Sequence, residues 1–153
     1  MLISTNSHLN KVLLCATTLF DSPGWSIIPL IGKAAAVPWK DFQHTPPQPA
    51  QITQWGSLPG LTGVGIITGR VSQLLVLDFD REGLAFAFEA AYQNLAETLW
   101  VRTKRGYHLY FTVPDHLEPD LHTMRGVDVQ WEGRYVVAAG SRVDDHIYTV
   151  VRD

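Results

Sequence analysis

An acidic pair, Asp78-Phe79-Asp80, ends the apolar run at residues 74–77 and is the sharpest chemical feature of the sequence. Side chains two residues apart on a strand project to the same face, so the two carboxylates are expected to lie together. Such close like charges raise each other's proton affinity unless a cation lies between them, and Mg²⁺ and Mn²⁺ prefer oxygen ligands. The pair therefore predicts a divalent-metal site, although a solvated strand end or an acidic helix N-cap could have the same sequence.

A basic turn, Thr103-Lys104-Arg105-Gly106, follows further along the chain and leads into another predicted strand. Two cations and the free backbone amides of a turn can bind a triphosphate, and His108 on the following strand can donate a hydrogen bond to it. His108 and Tyr110 are expected to share one face of that strand. A histidine on a strand is more often structural than functional, so both roles stay open for His108 at this point.

A third acid, Asp128, lies within Gly126-Val127-Asp128-Val129. An aspartate between two valines is costly to bury unpaired, so it requires a ligand or a partner. Three strand-borne carboxylates beside a basic turn are the donor set of a two-metal phosphoryl-transfer site. The sequence therefore predicts that Asp78, Asp80 and Asp128 together hold Mg²⁺ or Mn²⁺.

In this order the three motifs resemble those of the archaeo-eukaryotic primase superfamily, and most closely its bifunctional DNA primase/polymerase (prim-pol) branch. With h for an apolar residue, the shared patterns are h-h-h-D-x-D at Asp78 and Asp80, R-G-x-H at Arg105 to His108, and h-D-h at Asp128. Three further segments, at residues 24–40, 65–69 and 126–141, resemble the branch's N-terminal signature, the lead-in to its acidic strand, and its third motif with the strand after it.

The resemblance implies a template-directed nucleotidyltransferase that uses two divalent metals to add nucleotides to a 3′-hydroxyl. By position, the implied catalytic metal ligands are Asp78, Asp80 and Asp128. The implied nucleotide-binding residues are Lys104, Arg105, Gly106, His108 and Ser141. The implied partners are a single-stranded DNA template and nucleoside triphosphates, and a replicative helicase is left open.

The apolar pattern predicts one mixed α+β domain over residues 1–153, with a largely antiparallel central sheet and flanking helices. Residues 1–60 are expected to form an N-terminal helix (7–20), a short strand and a Pro-rich arm, and residues 61–153 the metal- and nucleotide-binding sheet. The strongest helical pattern covers residues 83–99. The resemblance adds the RRM-like elements of a primase-polymerase catalytic core.

Composition and charge limit the classes of function. Hydrophobic residues make up 46% and charged residues 18% of the chain, which excludes a disordered protein. The net charge of −3 excludes nucleic-acid binding through bulk charge, so binding must depend on particular residues. The single cysteine, Cys15, excludes an internal disulfide framework and a cysteine-based zinc site. No apolar run is long enough to span a membrane, and a reduced, cytoplasmic setting is expected.

Two other functions stay open on the sequence alone. A haloacid-dehalogenase-like phosphatase also uses h-h-h-h-D-x-D, but it requires a Rossmann-like alternation and a late acidic pair, for which Asp144-Asp145 is the candidate. The other is a nucleic-acid-binding accessory module, which would have the same fold but would catalyse nucleotide transfer only weakly. For template contacts the cationic candidates are Lys33, Lys40, Arg70 and Arg102, with Trp39 and Trp55 available to stack on bases.

Overall fold

A computed structural model describes residues 24–122 and 125–152. The helix predicted over residues 7–20, with Cys15, lies outside this part of the chain. In chain order the elements are β1 (Ile27–Ile31), β2 (Ala34–Ala35), a 3₁₀ turn (Lys40–Gln43), α1 (Pro49–Trp55), β3 (Gly63–Ile67), a 3₁₀ turn (Arg70–Ser72), β4 (Leu74–Phe79), α2 (Glu82–Ala91), α3 (Gln93–Ala96), β5 (Leu99–Arg102), β6 (Tyr107–Thr112), β7 (Val127–Gln130), β8 (Tyr135–Val137), β9 (Arg142–Val143), β10 (His146–Ile147) and β11 (Thr149–Arg152).

The described strands form two larger sheets and one small hairpin. The four-stranded sheet has the order β2-β1-β3-β8, the five-stranded sheet the order β11-β5-β6-β4-β7, and β9 pairs with β10. Every pair of neighbouring strands in them is antiparallel. The predicted α+β class with largely antiparallel pairing is therefore confirmed.

Strand β4 is at the centre of the site because it has a neighbour on each side. Its continuous apolar sequence is typical of a strand that is covered on both faces. One face carries Val76 into a core shared with the four-stranded sheet, which includes Ile28 and Ile66. The other face carries Phe79 into a second core, against Ala85 of α2. The five-stranded sheet thus lies between the four-stranded sheet and the helices α2 and α3.

Two expectations about the elements are wrong. The strands do not complete a single central sheet, because β8 follows β7 closely in the chain but pairs with β3 in the other sheet. The helix predicted over residues 83–99 is broken at Tyr92, whose φ of −134° and ψ of 57° are not helical. The chain turns there so that Ala96 can pack in the second core and accept a hydrogen bond from the indole of Trp100 at 2.9 Å. Leu99 then already belongs to β5.

Among the described residues, no helix is both long and apolar enough to cross a membrane.

Candidate active site between the two sheets

A cleft of about 210 Å³ lies between the two sheets, and most of the residues predicted to bind metal or nucleotide line it. The five-stranded sheet contributes Asp78 and His108, and the β5–β6 turn contributes Lys104 and Arg105. Further lining residues are Asp80, Thr103, Gln130, Val143, Asp144 and Tyr148, with Lys33, Tyr135, Val136 and Val137 from the four-stranded sheet. Residues from the acidic-pair motif and the basic-turn motif therefore meet in one concave site.

Asp78 lies between His108 and Asp128 in the strand register. In the antiparallel ladder Asp78 is directly opposite His108 on β6 and directly opposite Asp128 on β7. Directly opposite residues of such a ladder present their side chains on the same face. The Nε2 of His108 is 3.4 Å from Oδ1 of Asp78, and the side chains are 7% and 28% exposed. Asp128 is exposed beside the cleft rather than within its lining.

Asp80, one residue beyond the end of β4, is paired with the basic turn. Nη2 of Arg105 donates a hydrogen bond to its Oδ1 at 2.8 Å. Both side chains are largely exposed, at 72% for Arg105 and 52% for Asp80. The second acid of the pair is thus in the cleft, with its charge balanced by Arg105.

The donor set fits a divalent cation in its chemistry, since carboxylate oxygens are the ligands that Mg²⁺ and Mn²⁺ prefer. Asp78 and Asp128 are register neighbours on one face, and Asp80 follows two residues after Asp78. Over residues 24–122 and 125–152, however, no three His, Cys, Asp or Glu side chains are near enough to each other to hold a metal ion. The carboxylates share a face of the sheet without converging on one point.

The basic turn is closed by its own hydrogen bonds. The Thr103 amide donates to the Gly106 carbonyl at 2.9 Å, and the Gly106 amide donates to Oγ1 of Thr103 at 3.1 Å. These two amides are therefore not free for a phosphate, contrary to the expectation from sequence. A Cβ at Gly106 would lie 1.9 Å from the carbonyl oxygen of Phe79, so this position requires glycine for close packing against β4.

Lys104 connects the β5–β6 turn to the β9–β10 turn. Its Nζ donates to Oδ2 of Asp144 at 3.1 Å and lies 3.7 Å from Oδ1 of Asp145. The hydrogen bond to Asp144, together with the charges of Asp144 and Asp145, raises the pKa of the Lys104 ammonium. These contacts of Lys104 hold the β9–β10 hairpin beside the β5–β6 turn, at one end of the cleft.

Ser141, which the resemblance implies as a nucleotide contact, lies outside the cleft lining. It is fully buried, and its hydroxyl accepts from the Val64 amide at 3.0 Å and contacts the Val64 carbonyl at 3.2 Å. A Cβ at Gly63 would lie 2.2 Å from the Cβ of Ser141, so the two residues are closely packed. In this structure Ser141 joins β3 to the segment after β8, and its position does not support nucleotide contact.

Tyr148 is a cleft residue that sequence reasoning missed. It is 3% exposed, and its ring lies edge-on to the His108 ring with 5.8 Å between the centroids. Burial, with the negative charge of Asp78 as a second cause, raises the pKa of its hydroxyl. Nothing in the local sequence separates Tyr148 from an ordinary strand tyrosine, because its role depends on the packing of β6 and the chain after β10. Nδ1 of His108 is buried there, and no hydrogen-bond partner for it exists among the described groups.

The residues proposed to contact a template have mixed environments. Arg70 pairs with Glu118 and Arg102 pairs with Glu82, so both cations are already neutralised. Trp39 packs edge-on to Tyr135 and Trp55 edge-on to Phe42, which makes both indoles part of the packing. Lys33 and Lys40 are exposed.

The antiparallel sheets argue against the phosphatase hypothesis. That fold requires parallel strands that alternate with helices, whereas β4 pairs antiparallel with both of its neighbours. Its candidate late acidic pair, Asp144-Asp145, forms the turn between β9 and β10.

Comparison with known proteins identifies a family. The family model described as bifunctional DNA primase/polymerase, N-terminal, matches residues 16–153. The match covers most of the chain and includes all three motifs. No match to this chain was found among curated proteins.

Proposed function

Because the chain belongs to the bifunctional DNA primase/polymerase (prim-pol) family, we propose that it is a template-directed nucleotidyltransferase whose active site is the cleft between the sheets. Family membership supports a DNA primase/polymerase-type function with DNA and nucleotides as substrates. The proposal adds the residues that carry the reaction and the metals that they bind.

The observation that carries the proposal is the register of β4 against β6 and β7. It aligns Asp78 with His108 on one side and with Asp128 on the other. Asp80 and Arg105 lie at the same end of β4, in the same cleft. A solvated strand end would not require an acid, a histidine and a second acid on three adjacent strands.

In this proposal Asp78, Asp80 and Asp128 would hold two divalent ions, Mg²⁺ or Mn²⁺. When bound, such ions would supply Lewis-acid stabilisation to the attacking 3′-hydroxyl and to the charge on the leaving pyrophosphate. Arg105 and Lys104 bind the phosphate oxygens of the incoming nucleotide as charge-assisted donors. His108 orients Asp78 through the 3.4 Å contact and lines the cleft where the phosphates bind.

The test is nucleotide incorporation on a single-stranded DNA template, with and without an annealed primer. We expect incorporation in Mg²⁺ or Mn²⁺ and none in EDTA, because three carboxylates without a cation cannot stabilise the pyrophosphate charge. DNA binding without incorporation in either metal would contradict the proposal and would favour the accessory-module alternative.

Template binding by this domain is expected to be weak and only moderately dependent on salt. Arg70 and Arg102 are already ion-paired, and the net charge of the chain is −3. On single strands log K falls by roughly 0.7 per phosphate contact for each tenfold rise in salt, so a few contacts give a slope no steeper than about −2. Anisotropy of a labelled oligonucleotide across salt concentrations measures the slope. Tight binding with a slope beyond about −4 would reveal a basic groove elsewhere on the protein.

A further inference from the structure

Three cations from the described part of the chain line the cleft, and they differ in how their charges are balanced. Arg105 is hydrogen-bonded to Asp80, and Lys104 is paired with Asp144. Lys33, on the opposite sheet, has no described carboxylate within ion-pair distance. Lys33 therefore brings to the cleft a positive charge that is not neutralised by an ion pair within the described chain. The carboxylates of Asp78 and Asp80 line the same cleft.

The backbone at Lys33 is held in place by contacts from neighbouring strands. The hydroxyl of Tyr135 donates to the Lys33 carbonyl at 3.0 Å and accepts from the Ala35 amide at 3.2 Å. The Gly32 amide donates to Oγ1 of Thr62 at 2.7 Å, and Gly32 has a φ of 61° in the tight turn between β1 and β2. Trp39 packs against the Tyr135 ring, with 4.9 Å between the ring centroids, and so holds the tyrosine in position.

We infer that Lys33 binds the phosphate groups of the incoming nucleoside triphosphate from the four-stranded sheet, across the cleft from Arg105. The inference rests on the proposed function and is an alternative to the sequence-based assignment of Lys33 to the template. A triphosphate carries several negative charges, and Lys104 and Arg105 are both paired with carboxylates. Lys33 is a third cation, on a turn whose backbone is held by hydrogen bonds, and it can attract the phosphate groups without first breaking an ion pair. Tyr135 is then a positioning residue for Lys33.

The test compares Lys33→Gln with Arg142→Gln. Arg142 is a suitable control because it is also an exposed cation with no ion-pair partner in the described chain, yet it is not part of the cleft lining. Loss of a charge-assisted phosphate contact is expected to raise the nucleotide KM of Lys33→Gln about tenfold. Arg142→Gln is expected to keep the wild-type KM. Lys33→Arg keeps the charge and is expected to recover most of the loss.

Two further measurements separate phosphate binding from other roles. Calorimetric titration with a non-hydrolysable nucleoside triphosphate is expected to show weaker binding to Lys33→Gln, while its affinity for a single-stranded oligonucleotide stays at the wild-type value. Tyr135→Phe removes the two hydrogen bonds at the turn and keeps the ring, so it is expected to raise KM by less than Lys33→Gln does.

The outcomes distinguish this inference from the proposed function. An active Lys33→Gln enzyme with wild-type KM and wild-type nucleotide affinity would overturn the role of Lys33 and leave the proposed function intact. Reduced oligonucleotide affinity with an unchanged nucleotide KM would show that Lys33 contacts the template and not the nucleotide. Absence of incorporation by the wild-type protein would instead count against the proposed function, whatever Lys33 does.

Discussion

Asp78→Asn is expected to abolish nucleotide incorporation while leaving the fold unchanged. Asp78 is the one acid that is a register neighbour of both His108 and Asp128, and its side chain is 28% exposed in the cleft. Asparagine keeps the size of the side chain but removes its negative charge, which weakens binding of a divalent cation. Loss of electrostatic stabilisation at the reacting phosphate is expected to lower kcat by about a thousandfold or more. Incorporation kinetics in Mg²⁺ measure this loss.

Asp41→Asn is the matched control for Asp78→Asn. Asp41 is an exposed aspartate in the 3₁₀ turn Lys40–Gln43, outside the cleft. The same change of charge there is expected to leave kcat at the wild-type value, and thermal unfolding of both variants checks that each is folded. Substantial activity of a folded Asp78→Asn variant would show that this carboxylate is not a metal ligand, and the two-metal proposal would then fail.

The sequence predicted the individual strands around Asp78 better than it predicted how the strands are divided between sheets. The continuous apolar run of β4 correctly indicated a buried strand with Asp78 near its end, and the sequence after the basic turn correctly indicated a strand that carries His108, because these are local properties of short segments. The register that aligns Asp78 with Asp128 depends on pairing between segments far apart in the chain. No local pattern fixes that register, and it was the chemistry of the carboxylates, together with the resemblance to a family, that suggested that the two acids belong together.

The structure departs from the sequence-based expectations where distant segments pack together. The Ser141 hydroxyl binds the Val64 backbone, which is a partner 77 residues earlier in the chain. The break at Tyr92 occurs because Ala96 and Trp100 must both reach the second core. Helical periodicity continues through Tyr92 in the sequence, so the tertiary contacts override a favourable local pattern.

The Arg105–Asp80 ion pair in the cleft contributes little to the stability of the fold, so its loss on ligand binding would cost little. The Arg105–Asp80 pair is mostly exposed, and exposed pairs of this kind contribute only about 0–1 kcal/mol to stability. In the proposed function, exchange of these partners for phosphate and metal would therefore cost little free energy, and the fold does not depend on the pair. Its stability comes instead from the two apolar cores on either side of β4.

Gly106→Ala is expected to show the opposite behaviour, with a large loss of stability as well as of activity. The added Cβ would lie 1.9 Å from the Phe79 carbonyl oxygen and 3.0 Å from the Arg81 amide nitrogen, and neither is the flexible end of a side chain. The turn must therefore move away from β4, which is expected to cost about 3 kcal/mol, at the upper end of overpacking effects. Because Arg105 precedes Gly106, the same movement separates Arg105 from Asp80 and is expected to raise the nucleotide KM.

Gly83→Ala is the control that separates this clash from the general effect of replacing a glycine. Gly83 lies in the first turn of α2, and a Cβ there would meet no atom within 4 Å. Alanine is favoured over glycine in a helix by up to about 1 kcal/mol, so this variant is expected to be as stable as wild type or more stable. Denaturant unfolding of both variants gives the comparison. Equal stability of Gly106→Ala and wild type would mean that the β5–β6 turn is not held against the end of β4, and the placement of Arg105 and His108 at the acids would lose its structural basis.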